Sequence, residues 1–257
     1  MWPIVAVQSK DIDKILEVIA DYYRQFNLEL AELAIGNRQS KYMTLGKRYI
    51  DDLSFIKAIN YGSVFDLNDV ATFFNLYKDI MGNEDWTIIQ FRWYASRYNL
   101  DADDNLVEKL SEKLNTKVIR YRRGEEYYSI VGFENGILAD ELTFEYTDVY
   151  AAKGFFQKYE QLKQKYERAR EQLNPDNNHD LDMLDQMIDD GYKQMRKALS
   201  DYLNSLKLDI LGFPETIKID NDKQCRRFLL NGDPLSLQKY LKIEKMGTLD
   251  LNPLKGL

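Results

Sequence analysis

The chain has 257 residues, of which 44% are hydrophobic and 30% charged, a composition typical of a folded globular protein rather than a disordered one. Its 35 basic and 42 acidic residues give a net charge of −7, which opposes general attraction to nucleic acid or anionic lipid and favours a basic partner. The single cysteine, Cys225, and the single histidine, His179, exclude an internal disulfide and a zinc site built from these residue types.

The composition also predicts a cytoplasmic protein that does not cross a membrane. No segment contains the roughly 18 consecutive apolar residues of a membrane span. The apolar run at residues 2–7 ends at Gln8 and lacks the basic residues that precede the apolar core of a signal peptide. A lone reduced thiol is ordinary in the cytoplasm.

The first 26 residues predict a strand followed by a helix. Residues 2–7 are the strand, and Ser9 or Asp11 is expected to cap the helix. Residues 27–52 receive no predicted fold, because the pattern at 28–33 fits a strand and a helix equally well. The apolar face of the helix consists of Ile12, Ile15, Leu16, Ile19, Tyr23 and Phe26.

Residues 53–82 predict a second strand and a second helix. The segment 53–66 is rich in β-branched and aromatic residues, which favour a strand. Asn68 is a good helix N-cap, and Val70, Phe73 and Tyr77 then follow at helical spacing. Gly82 is expected to end this helix.

Residues 86–146 predict the order β-α-β-β-β. The strand at 86–94 has the strongest signal, and the helix after it starts at Asp103 or Asp104. Strands are then expected at 117–121, 127–133 and 137–146, with Asn135-Gly136 as a type I′ turn between the last two. Residues 1–146 therefore predict an α+β domain with packed helices and a mixed or antiparallel sheet.

Residues 147–210 predict a long antiparallel helical hairpin. Two series of apolar residues follow the alternating three- and four-residue spacing of a heptad seam, and a polar loop at 174–178 separates them. Each arm would have about 22 to 26 residues and a length of roughly 35 Å. The two seams are Phe155, Tyr159, Leu162, Tyr166, Ala169 and Leu173, and then Leu181, Leu184, Ile188, Gly191, Met195, Ala198 and Tyr202.

The charges follow the same division. Basic residues end the first arm and acidic residues begin the second, which suits the dipole of each helix and would bring opposite charges side by side. The basic group is Lys163, Lys165, Arg168 and Arg170, and the acidic group is Asp180, Asp182, Asp185, Asp189 and Asp190.

Residues 211–257 are expected to form a C-terminal segment that packs on the core. The pattern favours a strand at 216–219 and a surface tail from residue 249. Between them, one more helix would carry Leu235, Leu237, Tyr240, Leu241 and Ile243.

Two acidic motifs resemble metal sites of known enzymes. Asp51 and Asp52 follow Tyr-Ile, as in the catalytic hairpin of reverse transcriptases, but an Asp pair before a strand is more simply a turn. Asp101 and Asp103 resemble the acidic motif of some glycosyltransferases, but the start of the next helix accounts for them.

A third motif, residues 176–182, alternates oxygen-bearing side chains as a calcium loop does. Leu181 and Met187 occupy the positions where such a loop needs glycine and glutamate, so a polar loop and helix cap are favoured. His179 in this loop has no serine or cysteine beside it to activate and is expected to be solvated. Cys225 is expected to be a structural thiol.

Two basic clusters stand out, one at Arg120, Arg122 and Arg123 and one at residues 223–227. Phosphate binding is one interpretation of the first, but Glu125 and Glu126 follow at once and favour a charge-paired hairpin. The chain contains no phosphate-loop, dinucleotide-binding, serine-hydrolase or zinc-protease motif. We therefore expect no cofactor, no metal and no catalytic residue.

Residues 106–142 resemble a helix–strand–hairpin unit of uncharacterised bacterial immunity-type α+β proteins. The resemblance is carried by LSEKLNTKV at 110–118 and YYSIVGFENGIL at 127–138. It implies a bacterial α+β protein with a role in immunity or defence, and it assigns no site residue.

These features favour a non-enzymatic protein-interaction protein, either an immunity or defence-associated protein that binds a basic partner or a small subunit of a multi-protein assembly. Direct nucleic-acid binding is expected only within a larger complex. The candidate contact residues are the carboxylates Asp180, Asp182, Asp185, Asp189 and Asp190, which could instead pair with the first arm of the hairpin.

The alternative is a metal-dependent phosphodiesterase or transferase, so an enzymatic role stays open although the residues argue against it. Its carboxylates would be Asp51, Asp52, Asp101 and Asp103, and it requires that they converge in one pocket.

Overall fold

A computed structural model describes residues 3–25, 28–33, 70–92, 104–124, 127–145, 148–173, 177–212 and 224–232. The strands are β1 (Ile4–Val7), β2 (Leu28–Leu33), β3 (Val70–Tyr77), β4 (Thr87–Arg92), β5 (Lys117–Arg123), β6 (Tyr127–Glu134), β7 (Ile137–Glu145), β8 (Asp148–Lys153) and β9 (Cys225–Gly232). The helices are α1 (Ile12–Arg24), α2 (Asp104–Leu114), α3 (Glu160–Gln172) and α4 (Asn178–Ser205), and a 3-10 helix spans Gly154–Tyr159.

The described strands form one sheet in the order β2-β9-β3-β4-β1-β5-β6-β7-β8. Every neighbouring pair is antiparallel. β5 to β8 follow one another as a meander, whereas β1 lies in the middle of the sheet and is buried along its whole length. The predicted α+β class with helices packed on a sheet is therefore confirmed, and the sheet is of the antiparallel kind.

Helices cover both faces of this sheet. Val5 and Val7 of β1 belong to an apolar cluster with α1 and α2. The alternate residues Ile4 and Ala6 belong to a second cluster with the 3-10 helix and α4. Successive side chains of a strand point to opposite faces, so a strand that is apolar at every position needs a cover on each side.

Most local predictions for residues 4–24 and 86–145 are confirmed. α1 begins after Asp11, whose side chain accepts a hydrogen bond from the Lys14 N–H at 3.1 Å. α2 and the strands β4 to β7 lie where the pattern placed them. Asn135 and Gly136 have φ values of 53° and 80°, as a type I′ turn requires.

The helix predicted from Asn68 is wrong, because residues 70–77 form β3. Val70, Phe73 and Tyr77 fit helical spacing, but residues of this kind also favour strands. Residues 74–77 are all buried, so β3 shows no polar alternation that would have distinguished a strand from a buried helix. Gly82 lies in the turn after β3, with φ +83°.

The two series of apolar residues in 155–202 are used differently from each other. α3 has 13 residues and α4 has 28, and the two helices contact each other. The α4 series is buried against the sheet at Ile188, Met195, Ala198 and Tyr202, whereas Leu181 is 39% exposed. The second half of α4 therefore packs on the sheet, and its first half is more exposed. That α3 and α4 form the long antiparallel hairpin stays a prediction.

Several predictions lie outside the described residues, namely the strand at 53–66, the strand at 216–219, and the helix and tail after residue 234. Within the stretch left without a predicted fold, Leu28–Leu33 forms β2. β8 and β9 follow the predicted domain boundaries at 146 and 210, and both pair with strands of the first segment. The domain division itself stays a prediction.

Gly154 lies where the chain leaves β8 and enters the 3-10 helix, and it allows a close approach to β7 there. Its φ is +62°, and an added Cβ would overlap the carbonyl oxygen of Ala139 and Oδ1 of Asp140. Gly82 is a matched control, since its φ is +83° but the nearest neighbour lies 3.7 Å away.

We expect Gly82→Ala to lower the free energy of unfolding by about 1 to 2 kcal/mol, from backbone strain alone. Gly154→Ala should lower it by about 3 kcal/mol or more, because strain and overlap act together. Urea unfolding measures both losses. Equal losses would contradict the steric explanation.

Candidate protein-binding surface

All five candidate carboxylates lie in the first half of α4. Spacings of three and four residues put Asp182, Asp185 and Asp189 on one side of the helix, over about 10 Å of its axis. All three side chains are exposed. We call these three residues the acidic stripe.

The other two candidates are placed differently. Asp180 is partly buried in the first turn of α4, where its charge suits the positive end of the helix dipole. Asp190 is exposed, but Lys193 Nζ lies 3.7 Å from its carboxylate. The acidic stripe is therefore the part of the predicted set that a partner can reach most directly.

α4 starts at a side-chain cap. The Asn177 side chain accepts a hydrogen bond from the His179 N–H at 3.1 Å, which satisfies one of the free donors at the helix start. His179 itself is exposed, as predicted. This cap fixes the residue at which α4 begins.

A groove of about 560 Å³ lies between α3 and the first half of α4. Ala169, Leu173 and Met187 are partly buried along it, and Met183 is 45% exposed. Polar and basic side chains of α3 form its other wall. We call it the arm groove.

The expected pairing of the two arms is not found for these groups. Within the described part of the chain, the acidic stripe makes no ion pair with Lys165 or Arg168 of α3. Lys165 and Arg168 are themselves exposed. Lys165 and Arg168 are therefore not paired with the acidic stripe, whereas the side chains of Lys163 and Arg170, the other two members of the predicted basic group, lie outside the described residues.

A buried carboxylate, Asp140 of β7, fixes the second half of α4 to the sheet. Its Oδ2 accepts a hydrogen bond from the Tyr202 hydroxyl at 2.7 Å, and Lys117 Nζ lies 3.1 Å from the same oxygen. Its Oδ1 accepts a hydrogen bond from the Phe155 N–H at 2.8 Å. This Asp140 junction joins β5, β7, the 3-10 helix and α4.

The protonation states of the junction follow from these contacts. Burial alone would raise the pKa of Asp140, but the hydrogen bonds from Phe155, Tyr202 and Lys117 outweigh it, so the pKa lies below its usual value. Burial, together with the neighbouring Asp140 charge, raises the pKa of Tyr202. Asp140 is thus a charged acceptor and Tyr202 a protonated donor.

The chain after α4 is held by a second set of contacts. The Trp86 indole N–H donates to the Leu206 carbonyl at 3.2 Å. The Asn83 amide donates to the Asp209 carbonyl at 2.9 Å and accepts from the Asp209 N–H at 2.7 Å. Together with the Asp140 junction, these bonds hold the end of α4 from which the stripe-bearing half extends.

Other sequence candidates have structural roles. Cys225 is 4% exposed and belongs to the second apolar cluster. Arg120 is buried and pairs with Asp104 at 2.6 Å, and Arg226 of β9 lies 3.8 Å from Asp13. One arginine of each basic cluster is thus paired with a carboxylate of the same chain.

The carboxylates of the enzymatic alternative, Asp51, Asp52, Asp101 and Asp103, lie outside the described residues, so that alternative stays a prediction. Within the described ranges, no group of three or more His, Cys, Asp or Glu side chains is arranged to hold a metal ion.

Sequence reasoning missed the Asp140 junction and the arm groove. One signal was present for the first, because Asp140, Leu142 and Phe144 alternate along β7 and are buried together. A carboxylate at an alternate position with apolar residues predicts a buried charge, and a buried charge needs hydrogen-bond or ion-pair partners. The arm groove has no comparable sequence signal, because its existence depends on how far apart α3 and α4 lie, and residue spacing within each helix does not determine that distance.

The chain matches no family model, no curated protein and no solved structure. Among the described helices, none has both the length and the apolar character needed to cross a bilayer.

We expect Asp140→Asn to lower the free energy of unfolding by about 2 to 4 kcal/mol at neutral pH, because the Phe155 and Tyr202 donors lose a charged acceptor and Lys117 keeps only the more distant Glu134 carboxylate, at 3.9 Å. Asp85→Asn, at an exposed position, is the control and should change it little. Urea unfolding measures both variants.

The loss should also depend on pH. Because the pKa of Asp140 is lower in the folded chain, the unfolded chain binds the proton first as the pH falls. The stabilisation is complete above the unfolded value of about 3.9 and is lost as the pH falls through the folded value. The gap between wild type and Asp140→Asn should therefore narrow in acid, and a constant gap would contradict this role.

Proposed function

We propose that this chain is a non-enzymatic protein-interaction protein that binds a basic partner through the acidic stripe on α4. The observation that carries the proposal is the exposure of Asp182, Asp185 and Asp189 without ion-pair partners in the described part of the chain. Carboxylates that are not satisfied within their own fold are free to meet Lys and Arg side chains of another protein.

Charge and shape both support a protein as the partner. The net charge of −7 steers basic surfaces toward the chain and repels nucleic acid. Leu181 lies one helical turn before Asp185 and is 39% exposed, so an apolar contact stands beside the charges. Apolar anchors flanked by charge are typical of protein interfaces.

The stripe sits on the helical arm that we propose to be an antiparallel hairpin of α3 and α4. The contact between these helices and the short interval between them, residues 173–177, support that arrangement. A helix presents its side chains at fixed spacing, so the charges are positioned before the partner arrives.

The role that we propose in the cell is that of an immunity or defence-associated protein, or of a small subunit in a larger assembly, in the bacterial cytoplasm. The resemblance of residues 106–142 to immunity-type proteins supports the first role. The buried lone thiol of Cys225 is compatible with a reducing compartment.

The proposal is tested by capturing partners with the purified wild-type chain and with Asp182→Asn/Asp185→Asn/Asp189→Asn. The captured protein is then purified and its affinity measured by calorimetry. We expect the triple variant to bind at least about tenfold more weakly, since several charge contacts are lost together. Binding to the wild type should weaken as salt screens the charges.

The matched control is Glu17→Gln/Asp85→Asn/Glu108→Gln, which removes three exposed carboxylates outside α4 and changes the net charge equally. It should bind as the wild type does. Equal weakening by both triple variants would show that only net charge matters, and unchanged binding by the stripe variant would refute the proposed surface.

A further inference from the structure

The turn between β6 and β7 contains Asn135-Gly136, the dipeptide that deamidates most readily in peptides. In this reaction the Gly136 backbone nitrogen loses its proton and attacks the side-chain amide carbon of Asn135, and ammonia leaves as a cyclic imide forms. Water then opens the imide to aspartate or isoaspartate. Glycine speeds the reaction because it has no side chain to hinder the attacking nitrogen, and Asn135 is exposed to water.

The fold restrains the attacking nitrogen in two ways. The Gly136 N–H donates a hydrogen bond to the Ser111 hydroxyl at 3.0 Å, which opposes loss of its proton. The φ values of 53° and 80° fit a type I′ turn, in which ψ of the first central residue is about +30°. This ψ points the Gly136 nitrogen away from the Asn135 side chain, so the imide ring closes only after the backbone of the turn rotates.

Ser111 holds the turn in that geometry from the last part of α2. It is fully buried, and its hydroxyl donates to the Thr116 carbonyl at 2.7 Å while it accepts from Gly136. The Asn135 N–H donates to the same carbonyl at 3.4 Å. Gly136 also lies so close to α2 that an added Cβ would be 3.0 Å from Glu112 Cβ. The turn is therefore packed against α2 and has little room to rotate.

We infer that Asn135 is a modification site whose spontaneous deamidation is held back by Ser111. Ser111 is a positioning residue, because it acts on the Gly136 nitrogen and takes no part in the bond changes. The inference is independent of the proposed function, since the turn joins β6 and β7 whereas the acidic stripe lies on α4. Isoaspartate at this position would lengthen the backbone by a methylene group, and the turn would then no longer fit against α2.

Asn231-Gly232, at the end of β9, supplies a reference site within the same chain. In the full chain unfolded by urea, no fold restrains either dipeptide, so both should deamidate at similar rates. Incubation at mildly alkaline pH, followed by peptide mass spectrometry and enzymatic labelling of isoaspartate, measures the two rates separately. We expect residue 135 to react at least about tenfold more slowly in the folded wild type than in the unfolded chain, because the reaction waits for a local opening.

Ser111→Ala is the variant that tests the mechanism. It should speed deamidation at residue 135 of the folded chain about fivefold, the factor that corresponds to the loss of one ordinary hydrogen bond, and leave residue 231 unchanged. Thr116→Val is the matched control, because it removes the 2.7 Å hydrogen bond from the Thr116 hydroxyl to the Gln8 carbonyl and keeps the acceptor of the Gly136 N–H. Its residue 135 should react as in the wild type.

Circular dichroism confirms that each variant is folded before incubation. A folded wild type that reacts at residue 135 as fast as the unfolded chain would overturn the inference, and so would an unchanged rate in Ser111→Ala. Equal acceleration at residues 135 and 231, or equal acceleration in Ser111→Ala and Thr116→Val, would show a general loosening of the fold and would refute the specific role of Ser111.

Discussion

The buried charge of Asp140 is the constraint on which the second face of the sheet depends. A carboxylate inside a protein is tolerated only when donors surround it, and here the donors come from β5, the 3-10 helix and α4. Each donor sets the position of its own element relative to β7. The chain can approach closely enough only because Gly154 has no side chain to collide with Ala139. The junction thereby adds a directional contact to the apolar packing that holds the second half of α4 on the sheet.

Local sequence pattern predicted much of the fold where one face of an element is polar. α1 and α2 have a distinct apolar face, and the turn at Asn135 and Gly136 has a specific backbone requirement, so short-range rules were sufficient. The prediction for β3 failed because residues 74–77 are buried on both faces of the sheet, and a largely apolar run of this kind fits both helical and strand spacing. The neighbours that decide between them, β4 and β9, lie far away in the sequence.

The candidate surface was only partly predictable for a related reason. Spacing alone was enough to put Asp182, Asp185 and Asp189 on one side of a helix, and the structure places them there. Whether Lys165 and Arg168 would neutralise them depended on how α3 and α4 are rotated about their axes, which the heptad pattern does not fix. The same pattern predicted that the apolar series of α4 faces α3. In the structure, Ile188 and the later residues of that series are buried against the sheet instead.

α4 is a single continuous helix whose second half belongs to the core and whose first half is largely exposed. A rod of 28 residues is about 42 Å long, and the hydrogen bonds along it resist bending at any single point. Force applied to the exposed end is therefore transmitted to Tyr202 and the sheet as leverage. The two halves of α4 form one mechanical unit, so a force on its exposed half would load the Asp140 junction directly.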